Sequence, residues 1–249
     1  MIWSLQRIAV ATVLAANLVS GSAGATTGGG ERTCLVLADG YVSEYAWGAY
    51  TEVSFPLNHP GHDACIRGLL QWPARFNRWL HGWNVKRIDL ERHHGPLPFD
   101  GVDLVILDDV RQRVCGPYEP MLEKFVRSGG GLLVYGGQWG LGGCPKTEFN
   151  ALKKVSSYQH SPLGHLLPVE IVATPDLAML AKEAARRPVF LDKALGESIE
   201  SAGWQVFGMH RCKAVGEVLA KLDGKPLVCR HRLKQGTVVV YTGDDLGWV

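Results

Sequence analysis

What this chain has little of narrows its function first. It carries almost no net charge: 26 Lys and Arg stand against 24 Asp and Glu, a formal +2 at neutral pH. No basic stripe runs along it either, which argues against a nucleic-acid partner. The apolar run at residues 8–19 is broken by Thr12 and Asn17 and falls well short of the roughly 20 residues that span a bilayer. No two histidines have the helical i, i+4 spacing with an intervening acid that marks a zinc protease. Internal repeats and low-complexity tracts are missing, and no second linker divides the chain.

The amino terminus reads as targeting rather than fold. Arg7 precedes the apolar run, and Ala23-Gly24-Ala25 supplies the small residues a signal peptidase accepts. Residues 1–25 are therefore expected to be a signal peptide, with cleavage after Ala25 and no stable membrane span afterwards. This predicts a secreted or periplasmic protein. Residues 26–249 then form a single domain, long enough for a good core. The full chain's 46% hydrophobic and 20% charged content is that of an ordinary globular protein.

Six cysteines in an exported chain predict one or two disulfides. Cys115 and Cys144 both follow consecutive strands at one sheet edge and could meet. Cys212 and Cys229 are expected to flank a short helix and could lie on neighbouring strands. Cys34 and Cys65 fall at opposite ends of a strand–helix unit, a poor pair.

Apolar runs alternate with helical spacing. Strands are predicted at 34–38, 85–90, 102–107 and 131–135; the first, CLVLA, is a short continuous apolar run, as a strand buried on both faces is. Helices are predicted at 64–83, where Pro73 interrupts, and at 117–126, where Pro117 sits in the first turn. Later strands are expected at 167–172, 188–190 and 204–209, then a hairpin of 214–222 with 227–233 through Asp223-Gly224, and a last strand at 237–241. The result is an α/β chain: a flavodoxin-like three-layer sandwich with a mainly parallel sheet and a C-terminal antiparallel extension.

The most informative stretch is 125–143, FVRSGGGLLVYGGQWGLGG, in which a helix end, a tight turn, a buried strand and a glycine-rich loop follow one another. With VDLVILDD (102–109), LEKFVRSGGGLLVYGG (122–137), LLPVEI (166–171) and GTVVVYTGD (236–244), it resembles the class I glutamine amidotransferase-like superfamily. The branch of putative amidotransferase domains near the ThuA-like proteins is the nearest in character. The resemblance implies a catalytic cysteine in a G-x-C-x-G turn, beside backbone N–H groups for an oxyanion. Here that turn reads Gly136-Gly137-Gln138-Trp139-Gly140. An amide cannot attack a carbonyl, and Cys144 lies six residues beyond the tip. The His and Glu partners that the resemblance places near the end of the last strand are also missing, since Asp244-Asp245-Leu246-Gly247 stand there. No catalytic residue and no glutaminase activity are expected.

In open α/β sheets ligands settle beyond the carboxyl ends of the strands. Those ends supply the candidate binding residues Asp39, Gly40, Asp108, Asp109, Gly136, Gly137, Gln138, Trp139 and Asp244. Acids, an amide and an indole at one edge suit a sugar-like polar ligand, although an Asp at a strand end often only caps the next turn. The aromatic loop with Tyr41, Tyr45, Trp47, Tyr50 and Phe55 would overhang this edge, as a substrate wall or as packing. No metal or cofactor is expected. An oxygen site of Asp39, Asp108 and Asp244 is the one metal arrangement considered, and it is disfavoured. The leading expectation is a nucleophile-free module that binds a small polar ligand or a protein partner. The alternatives are a carbohydrate hydrolase or isomerase working through strand-end aspartates, and a scaffold domain of an envelope assembly.

Overall fold

A computed structural model of the chain describes residues 32–39, 83–136, 140–143, 157–172, 177–179, 188–193, 206 and 208–244. In chain order these form β1 (Arg32–Ala38), β2 (Trp83–Asp89), β3 (Leu104–Asp108), α1 (Gln112–Cys115), a 3-10 turn (Gly116–Tyr118), α2 (Glu119–Arg127) and β4 (Gly131–Tyr135). A second 3-10 turn (Gly164–Leu166) leads to β5 (Val169–Ile171), β6 (Leu177–Met179), β7 (Val189–Phe190), β8 (Gly208–His210) and β9 (Cys212–Ala214). The chain continues through β10 (Glu217–Leu222), β11 (Lys225–Leu233), β12 (Gly236–Tyr241) and β13 (Gly243–Asp244).

The main sheet has eight strands in the order β2-β1-β3-β4-β12-β11-β10-β7. The pairs from β2 to β12 are parallel, and those from β12 to β7 are antiparallel. This is the expected flavodoxin-like sandwich with its antiparallel extension. The expected hairpin at Asp223-Gly224 is present, with both residues at positive φ (51° and 77°), as the tight primed turn requires.

Residue parity explains why the central parallel strands β1, β3, β4 and β12 are largely apolar. Leu35, Leu37, Val105, Leu107, Leu132, Val134, Val238 and Val240 face Leu122, Phe125 and Val126 of α2. Val36, Leu104, Ile106, Leu133, Tyr135, Val239 and Tyr241 face the opposite side, where Val206 and Met209 cover them. Both faces are dry, so neither parity tolerates a polar side chain.

Several expectations change. The helix predicted at 117–126 is a 3-10 turn followed by α2, because Pro117 and Pro120 each enter near the start of a helical segment. No helix separates Cys212 from Cys229: strands β10 and β11 fill that interval, and the two cysteines sit in different sheets. The expected Cys212–Cys229 bridge is absent, and Cys34 and Cys115 are not in disulfides either. Burial pushes the Cys115 and Cys229 thiols up to about 12, so both behave as small apolar groups. Cys65, Cys144, the signal peptide, the aromatic loop and the helix predicted at 64–83 lie outside the described residues. Among the described residues, no helix is long and apolar enough to cross a membrane.

A buried carboxylate ties the segment before β5 to the helices. Glu119, 1% exposed, accepts the Leu163 N–H and the Gln112 Nε2–H, each at 2.9 Å. Beside it, Tyr158 donates to the Val110 carbonyl at 3.0 Å. Glu119→Ala leaves a buried N–H unpaired and should lower stability by about 1–3 kcal/mol, measured by denaturant unfolding. A loss below about 0.5 kcal/mol would show the contact to be dispensable.

A second prediction concerns pH. Burial holds His231 of β11 below the ordinary imidazole value, which favours the neutral ring in the folded chain. Its contribution is complete above the ordinary value near 6.5 and is lost as the pH falls through that value toward the depressed one. Melting temperatures between about pH 8 and pH 5 should therefore decline less steeply in His231→Gln than in the parent. Equal slopes would reject this assignment.

Candidate functional site

The sheet reverses its winding between β1 and β3, the point at which such folds open a crevice. Register places Ala38, Asp108, Tyr135 and Tyr241 in one row across β1, β3, β4 and β12. Asp39, Asp109, Gly136 and Thr242 form the next row, beyond the strand ends. Four of the predicted site residues thus share one edge: Asp39, Asp108, Asp109 and Gly136.

The structure gives these residues unequal tasks. Asp39 is 1% exposed and faces Arg111, the residue before α1. Arg111 Nη2 donates to Asp39 Oδ1 at 2.6 Å, and Arg111 Nε donates to Oδ2 at 2.5 Å. The Arg111 backbone N–H also reaches Oδ2, at 3.3 Å. The same Nη2 donates to Glu91 Oε1 at 2.7 Å. Burial pulls the Arg111 guanidinium down, but the bonds and charge of Asp39 and Glu91 outweigh that and leave it raised. Both Asp39 oxygens are engaged, so this acid joins β1 to the start of α1.

Asp109 sits at φ 52°, in the left-handed region that Asp tolerates better than most residues. Its Oδ1 accepts the Gly140 N–H at 2.9 Å, and its own N–H reaches the Tyr135 carbonyl at 3.3 Å. Asp108 is half-buried at the end of β3. Asp244 belongs to β13, which pairs with β8, rather than to a free turn after the last strand.

The glycine turn is closed at both ends. Gly136 donates to the Tyr241 carbonyl at 2.8 Å, and Gly140 donates to the Gly136 carbonyl at 3.1 Å. A side chain at Gly136 would stand 2.9 Å from the Tyr241 carbonyl oxygen and 3.0 Å from His210 Cδ2. One at Gly140 would run into the Gly136 carbonyl. Close backbone approach therefore requires glycine at both positions. Gly137, Gln138 and Trp139 between them, and Gly40 after Asp39, lie outside the described residues.

Three residues of this edge escaped the sequence reading. Arg111 and Glu91 complete the Asp39 pair. His210, 1% exposed, is carried to the end of β4 by the pairing of β8 with β13. A histidine therefore stands beside Gly136, although residues 244–247 hold none. His210 comes from a strand 26 positions before β12 begins (210 to 236), so no local spacing marks it. Among the described residues, no three His, Cys, Asp or Glu are grouped to hold a metal ion.

No protein-family model matches this chain, and no curated protein matches it either. Solved structures do. The cytoplasmic protein STM1381 of Salmonella typhimurium LT2 aligns at TM-score 0.56 and 15% identity, over 85% of this chain and 88% of that one. The cytoplasmic protein STM3548 of Salmonella typhimurium aligns at TM-score 0.52 and 16% identity, over 66% of this chain and 71% of that one. These likenesses show a shared α/β fold. Both neighbours are described as cytoplasmic proteins, which stands against the secreted or periplasmic location expected from the sequence.

The ion pair makes a quantitative prediction. Arg111→Ala strands a buried carboxylate and should destabilise by about 3–5 kcal/mol in urea unfolding. Arg111→Met combined with Asp39→Leu should recover much of that loss, because no buried charge is then left alone. A double variant as unstable as Arg111→Ala would contradict this account.

Proposed function

We propose that this chain is a glutamine amidotransferase-like module without a nucleophile, which binds a small polar, sugar-like ligand at the carboxyl edge of β3, β4 and β12. One observation carries the reading: the turn from Gly136 to Gly140 is closed on itself and pinned by Asp109, at the edge where such folds hold ligands. The two residues that flank it, Gly136 and Gly140, are both anchored by backbone hydrogen bonds. The three residues within it are a glycine, an amide and an indole, a set suited to hydroxyl groups and to the apolar face of a sugar ring. Amide chemistry supports recognition and gives no route to an acyl-enzyme. The hydrolase reading draws less support, because both oxygens of Asp39 are engaged by Arg111.

The test is a thermal-shift screen of the protein against sugars, sugar acids, amino acids and divalent ions. A ligand at a hundred times its dissociation constant adds about 2.7 kcal/mol of stability. A shift that disappears in Gln138→Ala and weakens in Asp108→Ala is the expected result. No shift across the panel overturns the small-ligand reading and directs the search to a protein partner.

A further inference from the structure

Two strained residues meet beside the glycine turn. Among the described residues, four other than glycine have positive φ: Asp109 at 52°, Leu141 at 48°, Asp223 at 51° and Lys234 at 57°. The last two occupy the turns between β10 and β11 and between β11 and β12, where tight hairpins take such angles. Asp109 and Leu141 lie in no hairpin. Aspartate enters the left-handed region more readily than most residues, whereas the leucine Cβ is crowded there by the following carbonyl. Leu141 is 0% exposed, so its side chain is fixed in the core while its backbone is held where leucine is costly.

One residue grips both places. Tyr158, 1% exposed, donates its backbone N–H to the Leu141 carbonyl at 2.9 Å. Its hydroxyl donates to the carbonyl of Val110, the neighbour of Asp109, at 3.0 Å. Asp109 in turn accepts the N–H of Gly140, the neighbour of Leu141, at 2.9 Å. Asp109, Val110, Tyr158, Leu141 and Gly140 thus close a ring of hydrogen bonds and peptide links, with Tyr158 opposite the Asp109–Gly140 contact. Backbone strain persists only where the surroundings impose it. Here Tyr158 is the group that imposes it on both strained segments at once.

We propose that Tyr158 is a clasp: it holds Gly140 and Leu141 against Asp109 and Val110, and this ring opens as one local unit, distinct from the sheet, when its two hydrogen bonds are released. Opening lets Leu141 leave the left-handed region, so the stored strain favours release and places the open form below global unfolding in cost. The clasp thereby regulates the edge proposed above as a binding site, and its regulatory role rests on that reading. A ligand that needs Gly140 in place binds the clasped form alone and shifts the population toward it. The clasp itself requires no ligand, and it is tested without one.

The test is amide hydrogen exchange of the full chain, followed by NMR at increasing but sub-denaturing urea. In the parent, the Gly140 and Tyr158 amides should exchange through one opening, with equal protection and the same shallow urea dependence. The Val134 and Val240 amides of the sheet should be protected longer and depend steeply on urea. Tyr158→Phe keeps the ring and removes the hydroxyl bond, and should speed Gly140 exchange about tenfold, as loss of one hydrogen bond does. The Lys225 amide, in the distant β10–β11 hairpin, should keep the parent's rate. If Tyr158→Phe does not fold, the comparison within the parent decides alone. The proposal is overturned if Gly140 and Tyr158 differ in urea dependence, if both follow the sheet amides, or if Tyr158→Phe leaves Gly140 exchange unchanged. Any of these leaves the ligand reading standing, and a ligand screen without a hit leaves the clasp standing.

Discussion

A guanidinium held between two carboxylates organises the carboxyl edge of this sheet. Arg111 joins Asp39 at the end of β1, Glu91 just after β2, and its own segment just after β3. Three parallel strands that meet at the winding reversal are thereby stapled by one side chain. Desolvation would make such a buried charge costly if it stood alone, and only a bidentate partner with matching geometry offsets that. Arginine suits the place because its planar fork presents two parallel donors to one carboxylate and still reaches a second. Lysine, a point charge, could not make the same set of bonds.

Where Arg111 fixes one half of the edge, close backbone approach fixes the other. Gly136 lies against the Tyr241 carbonyl and the His210 ring, and Gly140 lies against the Gly136 carbonyl. The C-terminal strands bring this about. β12 inserts beside β4, and β13 then leaves the main sheet to pair with β8, which returns His210 to the end of β4. Thr242 seals the junction, accepting the His210 N–H on its carbonyl at 2.8 Å and donating through its hydroxyl to the Pro226 carbonyl at 2.9 Å. The antiparallel extension is therefore part of how the site edge is built.

The fold was legible where burial alone decides the residue type. The runs LVIL (104–107), LLVY (132–135) and VVVY (238–241) read as strands covered on both faces, because both parities are largely apolar, and each lies within one. The hairpin at Asp223-Gly224 was equally plain, since few residue pairs accept two consecutive positive φ angles. What could not be read were partners distant in the chain. Arg111 lies 72 residues from Asp39 and 20 from Glu91, and no motif links such separations. His210 reaches the edge through a two-residue strand, too short to leave a periodic signal. The cysteine pairing failed for a related reason: an expected placement on neighbouring strands did not reveal that Cys212 and Cys229 belong to different sheets.

These structural commitments bear on what a ligand would meet. An acid at a strand end can hydrogen-bond a hydroxyl only with a lone pair that the fold leaves open, and the two nearest the winding reversal differ in this respect. Asp39 has turned both oxygens inward to Arg111, whereas Asp109 offers one to Gly140 and so shapes the turn rather than the crevice. On the proposed reading, recognition at this edge would rest less on Asp39 and Asp109 than on the residues between Gly136 and Gly140. Acids that read as ligand-binding in sequence thus hold the edge together: Asp39 ties β1 to the start of α1, and Asp109 ties the end of β3 to Gly140.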